Sequence, residues 1–343
     1  MELVAARLAV TRNAGENLLP HFFDVMIEEP EIIKKLDYAD DFLKQGKYKE
    51  AITICEEIHR FYPEEESVLL MLAWAYYDSG AAETAIECLN ILLERELQRK
   101  IFTGFAFDEL VRIYKQEKKY QKLVEICEKA LSAQPENIGL LIELGNAYLQ
   151  LGQAKKACVI YEKIVGMENN NPAFYCFLGE ALFAAGMIAE SEDAYMCAGQ
   201  IDTEQAGQYC FKLAVLFQQA QNHKEAKRII NKCIAGNPDN PFYYCSLGDS
   251  LIGLGQIKEG WEAYRRAVQY GGDKSAGAYY NRLGNILFKE KYYSQAAEAF
   301  QQAITHDDIQ LYYLGLVSAY KAMGLEDEAQ EIIRRIKPAA NKA

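Results

Sequence analysis

Histidine is scarce in this chain. The four present, His21, His59, His223 and His306, lie far apart, and no two share the His-x-x-x-His spacing that puts two ligands on one helix face. No Cys-x-x-Cys occurs, so neither a zinc knuckle nor a dithiol redox motif is indicated. A Gly-x-Ser-x-Gly elbow and a Gly-rich phosphate loop are also absent. These gaps argue against a catalytic residue set, a metal site or a cofactor. Basic residues are in deficit, with 37 Lys and Arg against 49 Asp and Glu and a formal net charge of -12. Affinity for nucleic acid comes from releasing counterions to clustered Lys and Arg, so a nucleic-acid partner is not expected. No apolar stretch reaches the roughly 18 residues of a membrane-crossing helix. The opening Met-Glu-Leu-Val-Ala-Ala-Arg has no basic n-region and no long apolar h-region, so no secretory leader is expected. Alternating runs of Val, Ile and Thr between turn residues are missing too, which leaves no strand signal.

What is present is enough to fold. Half of the 343 residues are hydrophobic (50%) and 25% are charged, a balance that can bury a core. The nine cysteines, at 55, 88, 127, 158, 176, 197, 210, 233 and 245, sit mostly among apolar residues of helical-looking stretches. They read as small buried hydrophobes, and their number suits a reducing, cytoplasmic setting.

The chain repeats itself. Leu-Gly recurs at Leu144-Gly145, Leu178-Gly179, Leu247-Gly248 and Leu283-Gly284, the first two pairs 34 residues apart. LGNAYLQLGQAKKACVIYEKIV, LGEALFAAGMIAESEDAYMCA, LGDSLIGLGQIKEGWEAYRRAV and LGNILFKEKYYSQAAEAFQQAI align without internal gaps. Each unit carries two apolar stripes at helical spacing, such as Leu141, Leu144, Tyr148 and then Ala157, Tyr161, Ile164. A glycine between them supplies the left-handed residue that ends the first helix. One such hairpin cannot bury its own apolar face, whereas stacked hairpins bury a continuous core.

This pattern resembles the tetratricopeptide repeat family. The small residue at repeat position 8 is Ala39, Ala73, Gly145, Gly179, Ala214, Gly248 or Gly284, with Val111 and Val317 departing. At position 20 stand Ala51, Ala85, Ala157, Ala226, Ala296 and Ala329, with Leu123, Ser191 and Gly260 departing. The position-32 proline is kept only at Pro63, Pro135 and Pro238. Nine units follow, starting at residues 32, 66, 104, 138, 172, 207, 241, 277 and 310, so that the likeness covers about 32–343. It implies an all-α fold, a right-handed α-solenoid superhelix of stacked antiparallel helix pairs. Residues 1–31 fall outside the units. They are expected to cap the first repeat, the alternative being a partner-docking segment. Insertions at 100–103, near Ala206 and at Ser275-Ala276 are expected to lengthen loops.

The resemblance also implies a function. In such repeats, positions 2, 5, 9, 12 and 13 of each unit face a concave groove that holds a peptide or helix of another protein. Among the residues at these positions, Leu36, Asp40, Trp74, Tyr77, Arg112, Asn146, Phe183, Phe211, Asp249, Asn281, Asn285 and Phe288 are the candidate partner-binding residues. Aromatic side chains offer large contact area at low entropy cost, and amides can hydrogen-bond a peptide backbone. At any single position an aromatic ring on the groove and one packed on the next repeat look alike in sequence. Tyr175, Tyr244, Tyr280 and Tyr313, at position 4, read as core. The chaperone-binding members grip a terminal carboxylate with Lys at position 5 and Asn at 9. No unit has that lysine, so this clamp is not expected.

Charge is uneven. Residues 1–171 hold 20 Lys and Arg against 29 Asp and Glu, and residues 172–343 hold 17 against 20. The first half should favour basic or neutral partners. The reading is a non-enzymatic adaptor or scaffold, with a peptide- or ligand-sensing regulator and a dedicated chaperone of a secreted or assembly subunit as alternatives. Self-association is possible.

Overall fold

The computed structural model describes residues 30–99 and 104–336. The expected cap at 1–31, the insertion at 100–103 and the C-terminal PAANKA lie outside these residues, apart from the first turn of the first helix. Eighteen helices and no strand occur among the described residues. The chain divides into two compact units, 1–153 and 154–343, and each is taken by itself.

The N-terminal unit contains α1 (Pro30–Lys44), α2 (Tyr48–Phe61), α3 (Glu66–Asp78), α4 (Ala82–Gln98), α5 (Phe105–Gln116), α6 (Tyr120–Ala133) and α7 (Ile138–Gln150). The C-terminal unit contains α8 (Ala154–Met167), α9 (Pro172–Ala184), α10 (Ile188–Ile201), α11 (Ala206–Gln219), α12 (His223–Gly236), α13 (Pro241–Gly253), α14 (Ile257–Gly271), α15 (Asp273–Lys289), α16 (Tyr293–His306), α17 (Gln310–Ala322) and α18 (Glu326–Ile336). Neighbouring helices in sequence pack on one another throughout each unit, as the stripes require. The insertion at Ser275-Ala276 does not lengthen a loop. It is taken up as an extra turn at the start of α15, which begins at Asp273.

Starts and stops follow local chemistry. The side-chain oxygens of Asn171 and Asn240 accept the backbone N–H of Ala173 and Phe242 at 3.0 Å each. Pro172 and Pro241 then fill the first helical position, where no N–H is needed. First helices end in a left-handed residue at repeat position 15. Gly152 and Gly255 have φ of 70° and 76°, and the same turn is held by Lys118, Gln221 and Lys291 at φ 55°, 57° and 66°. At these three sites the packing of the hairpin imposes a conformation that a side chain disfavours.

The helices of a pair cross where the first one has no side chain. A Cβ on Gly179 would lie 2.7 Å from the Tyr195 ring, one on Gly248 would lie 2.5 Å from Tyr264, and one on Gly284 would lie 2.7 Å from Phe300. Each of those rings occupies repeat position 24, and all three are buried. Ser191, which departs from the position-20 alanine, donates its hydroxyl to the Gly179 carbonyl at 2.7 Å and so satisfies itself inside the crossing.

Candidate protein-binding surface

Within each unit, successive first helices touch: α1 with α3 in the N-terminal unit, and α9 with α11, α13 with α15 and α15 with α17 in the C-terminal unit. Successive second helices make no comparable approach among the described residues. First helices therefore form the tight inner row of each unit, and their free side is the candidate surface.

In the N-terminal unit this side carries a polar cluster. The Tyr77 hydroxyl on α3 donates to Gln116 Oε1 on α5. The Arg112 guanidinium lies over the Tyr77 ring, 4.7 Å from its centre, and donates to Glu109 Oε2 at 2.7 and 3.0 Å. Lys115 pairs with Glu143 of α7 at 2.6 Å. Asp108 stands beside these groups with part of its surface open. Withdrawal from water, then repulsion from Glu109 and Glu143, push its carboxyl up to about 6, with Lys115 giving partial relief. A carboxyl whose folded pKa is raised costs stability once it ionises, and the cost is relieved as pH falls through 6 toward the unfolded value. Asp108→Asn is therefore expected to stabilise the fold by about 1 kcal/mol near neutral pH, after discounting for solvent screening, and to have no effect near pH 4. Urea titrations at the two pH values check this; an equal effect at both would refute it.

The other expected residues of this unit are less open. Leu36 and Asn146 are half-buried. Asp40 is buried and lies 3.0 Å from Lys44. Trp74 is 3% exposed, in a helix buried at every residue from Val68 to Ala75, and presents no free ring.

In the C-terminal unit, most of the expected aromatics turn to their neighbours. Phe183 meets Phe217 edge-on at 5.1 Å, Phe211 tilts on Tyr243 at 5.0 Å, and Phe288 tilts on Tyr293 at 5.3 Å. All three are half-buried. Asp249 is engaged internally. Its carboxylate accepts the hydroxyl of fully buried Tyr264 and the Arg282 guanidinium, at 2.6 Å from Nη2 and 3.2 Å from Nε. Gln218 on α11 extends this tie by donating to the Ser246 carbonyl at 2.8 Å and to Ser250 Oγ at 2.9 Å. It joins α11, α13, α14 and α15.

The open part of this face lies along α13, α15 and α17. Phe242 is 59% exposed, and its ring meets Tyr279 edge-on. Leu311 and Leu314 are 60% and 48% exposed. Ala278 and Asn285 are exposed, and Asn281 is half-buried. By repeat position they fall at 2, 5 and 9 of three successive first helices that touch in order, a row of apolar side chains with two amides. Phe242, at groove position 2, lies outside the set of twelve. Leu311 and Leu314 lie outside it as well; their positions, 2 and 5 of the last unit, were the available signal.

Elsewhere the chemistry is quiet. No group of three or more His, Cys, Asp or Glu placed to hold a metal occurs among the described residues. No helix among them is long and apolar enough to cross a membrane. All nine cysteines are free thiols, seven of them buried.

Comparison with known proteins agrees with this geometry. Tetratricopeptide repeat profiles match residues 42–101, 106–137, 138–171, 207–240 and 277–308, together more than half of the chain. Human tetratricopeptide repeat protein 21B is 21% identical over 288 residues, covering 78% of this chain and 22% of that protein. Human protein O-mannosyl-transferase TMTC1 is 26% identical over 184 residues, covering 52% of this chain and 20% of that protein. The chain thus spans about a fifth of the length of these two relatives. Among solved structures, a tetratricopeptide repeat protein from Parabacteroides merdae aligns with 18% identity and a TM-score of 0.46, over 74% of this chain and 98% of its own.

Proposed function

This chain belongs to the tetratricopeptide-repeat family, whose members generally mediate protein–protein interactions, and from that premise we propose that it is a non-enzymatic adaptor that holds a peptide or helix of another protein on its first-helix faces. The observation that carries this reading is the open strip of Phe242, Leu311 and Leu314 beside Asn281 and Asn285. Large apolar side chains left in water on the inner row gain by being covered, at about 25 cal/mol per Å². The neighbouring amides can meet the backbone of whatever covers them. On the N-terminal unit, the carboxylates of Asp108, Glu109 and Glu143 outnumber Arg112 and Lys115, which favours a basic segment there. The thiol-rich composition supports a reducing compartment such as the cytoplasm.

The test is partner capture on the whole chain, followed by affinity measurement with the double variant Phe242→Ser, Leu311→Ser. Both side chains are exposed, so helix content by circular dichroism should not change. Affinity should fall at least about tenfold, the range of truncating a hot-spot residue. Unaltered affinity would remove the strip from the function. A low-mass ligand that raises the melting temperature, with no protein captured, would instead support the sensing alternative.

A further inference from the structure

We propose that Tyr195, Glu180 and Lys212 form an anchor for an amide group of the partner segment, on the first-helix side of α9 and α11. This rests on the adaptor reading above and gives it a second contact. Position 24 of one hairpin, position 9 of its first helix and position 6 of the next first helix are Tyr264, Asp249 and Arg282 in α13–α15. The same positions in α9–α11 are Tyr195, Glu180 and Lys212, so phenol, carboxylate and cation recur in the same order. The two rings are seated alike. A Cβ on Gly179 would stand 2.7 Å from the Tyr195 ring, as one on Gly248 would stand 2.5 Å from Tyr264. Each phenol therefore crosses its first helix at position 8 and ends beside position 9.

Only one of the two sets is closed. Asp249 accepts from Tyr264 and pairs with Arg282 at 2.6 Å. Tyr195 is 2% exposed, and its hydroxyl has no hydrogen-bond partner among the described residues. Glu180 and Lys212 are exposed, and no ion pair joins them. The Lys212 ammonium stands instead 5.8 Å from the centre of the Tyr209 ring, on its own helix. Glutamate is a methylene longer than aspartate, and lysine lacks the planar fork of arginine, so the pair does not reproduce the tie that Asp249 and Arg282 make. Partial withdrawal from water holds the Glu180 carboxyl above its ordinary range, and Lys212 draws it back, so the two charges sense each other across the gap.

A buried hydroxyl without a partner is costly and rare, and what this one lacks is an acceptor. Lys212 can only donate, and ionised Glu180 can only accept. A group that fits all three offers an oxygen with two lone pairs next to an N–H. An amide does so without bringing charge: its carbonyl accepts from Tyr195 and Lys212, and its N–H donates to Glu180. A free carboxylate would be opposed by Glu180, and an ammonium by Lys212.

The amide can come from an Asn or Gln side chain or from the peptide backbone. The full chain, isotope-labelled for NMR, is titrated with Ac-Ala-Gln-Ala-NHMe and with Ac-Ala-Met-Ala-NHMe, which keeps the backbone and lacks the carboxamide. Resonances of Gly179, Glu180 and Lys212 are followed. Shifts with the first peptide alone assign the anchor to a side-chain carboxamide, and shifts with both assign it to the backbone. Shifts with neither overturn the proposal. Lys212→Ala should weaken the responding peptide about tenfold, the scale of one charge-assisted hydrogen bond, and unaltered affinity would overturn it too. In thermal melts Tyr195→Phe should leave the melting temperature unchanged, whereas Tyr264→Phe should lower it by several degrees. An equal fall would show that the Tyr195 hydroxyl is already paired in the free chain, and the anchor would be lost. The variant Phe242→Ser, Leu311→Ser should respond to the peptides as the unaltered chain does, so failure here leaves the adaptor reading to its own test.

Discussion

Replacing Asp249 by alanine is expected to cost about 3 kcal/mol, because it strands a fully buried phenol and a guanidinium at once. The carboxylate is the shared acceptor of Tyr264 and Arg282 and so links α13, α14 and α15. Tyr264 has no exposed surface, so its hydroxyl cannot turn to water. Arg282 keeps partial access to solvent, which limits its share of the loss. Asp249→Asn keeps an oxygen for the phenol and gives up only the charge, so it should lose about half as much. Urea unfolding followed by circular dichroism, with hydrogen exchange on α13–α15, measures both. In a stack of repeats the damage should be confined to these helices and their immediate neighbours. A loss below 1 kcal/mol for the alanine variant would show that the tie is dispensable and would return Asp249 to the set of free groove residues.

Gly248→Val is expected to be worse tolerated than any exposed substitution, at about 3 kcal/mol or more. A Cβ at this position would stand 2.5 Å from the Tyr264 ring and 3.2 Å from the Gly260 carbonyl. The ring's hydroxyl is tied to Asp249 and the carbonyl belongs to a helix backbone, so neither can yield cheaply. Gly248→Ala places the same Cβ with no further branch. It also recovers about 1 kcal/mol of helix propensity, so a net loss of about 1–2 kcal/mol is expected. If alanine proved neutral or stabilising in thermal and urea melts, the two helices would be free to slide apart, and the small residue at position 8 would not be a packing requirement.

The helices and their pairing were legible because two stripes at a 3.6-residue period, broken by a turn, recur at nearly fixed spacing. The turns were legible less by glycine than by position. Lys118, Gln221 and Lys291 adopt the left-handed conformation without it, because the hairpin around them leaves the chain no other path. The groove was legible only in outline. Position says which way a Cα faces, not where a long side chain ends. Phe183 and Phe288 start on the first-helix row and finish against Phe217 and Tyr293. Asp249 looked free because its partners lie 15 and 33 residues further on, in helices whose approach no local pattern encodes. Leu311 and Leu314 were signalled by position alone, since an exposed leucine and a buried one have the same letter.

The contrast between touching first helices and separated second helices has a mechanical consequence inside the C-terminal unit. When the unit bends, its inner row behaves as a nearly inextensible backbone and the strain gathers in the outer spacings. Those spacings are not equally tied. Between α10 and α12, Glu192 pairs with both Arg228 and Lys232 at 2.6 Å, so this outer spacing is pinned by charge, and its hold should loosen as salt rises.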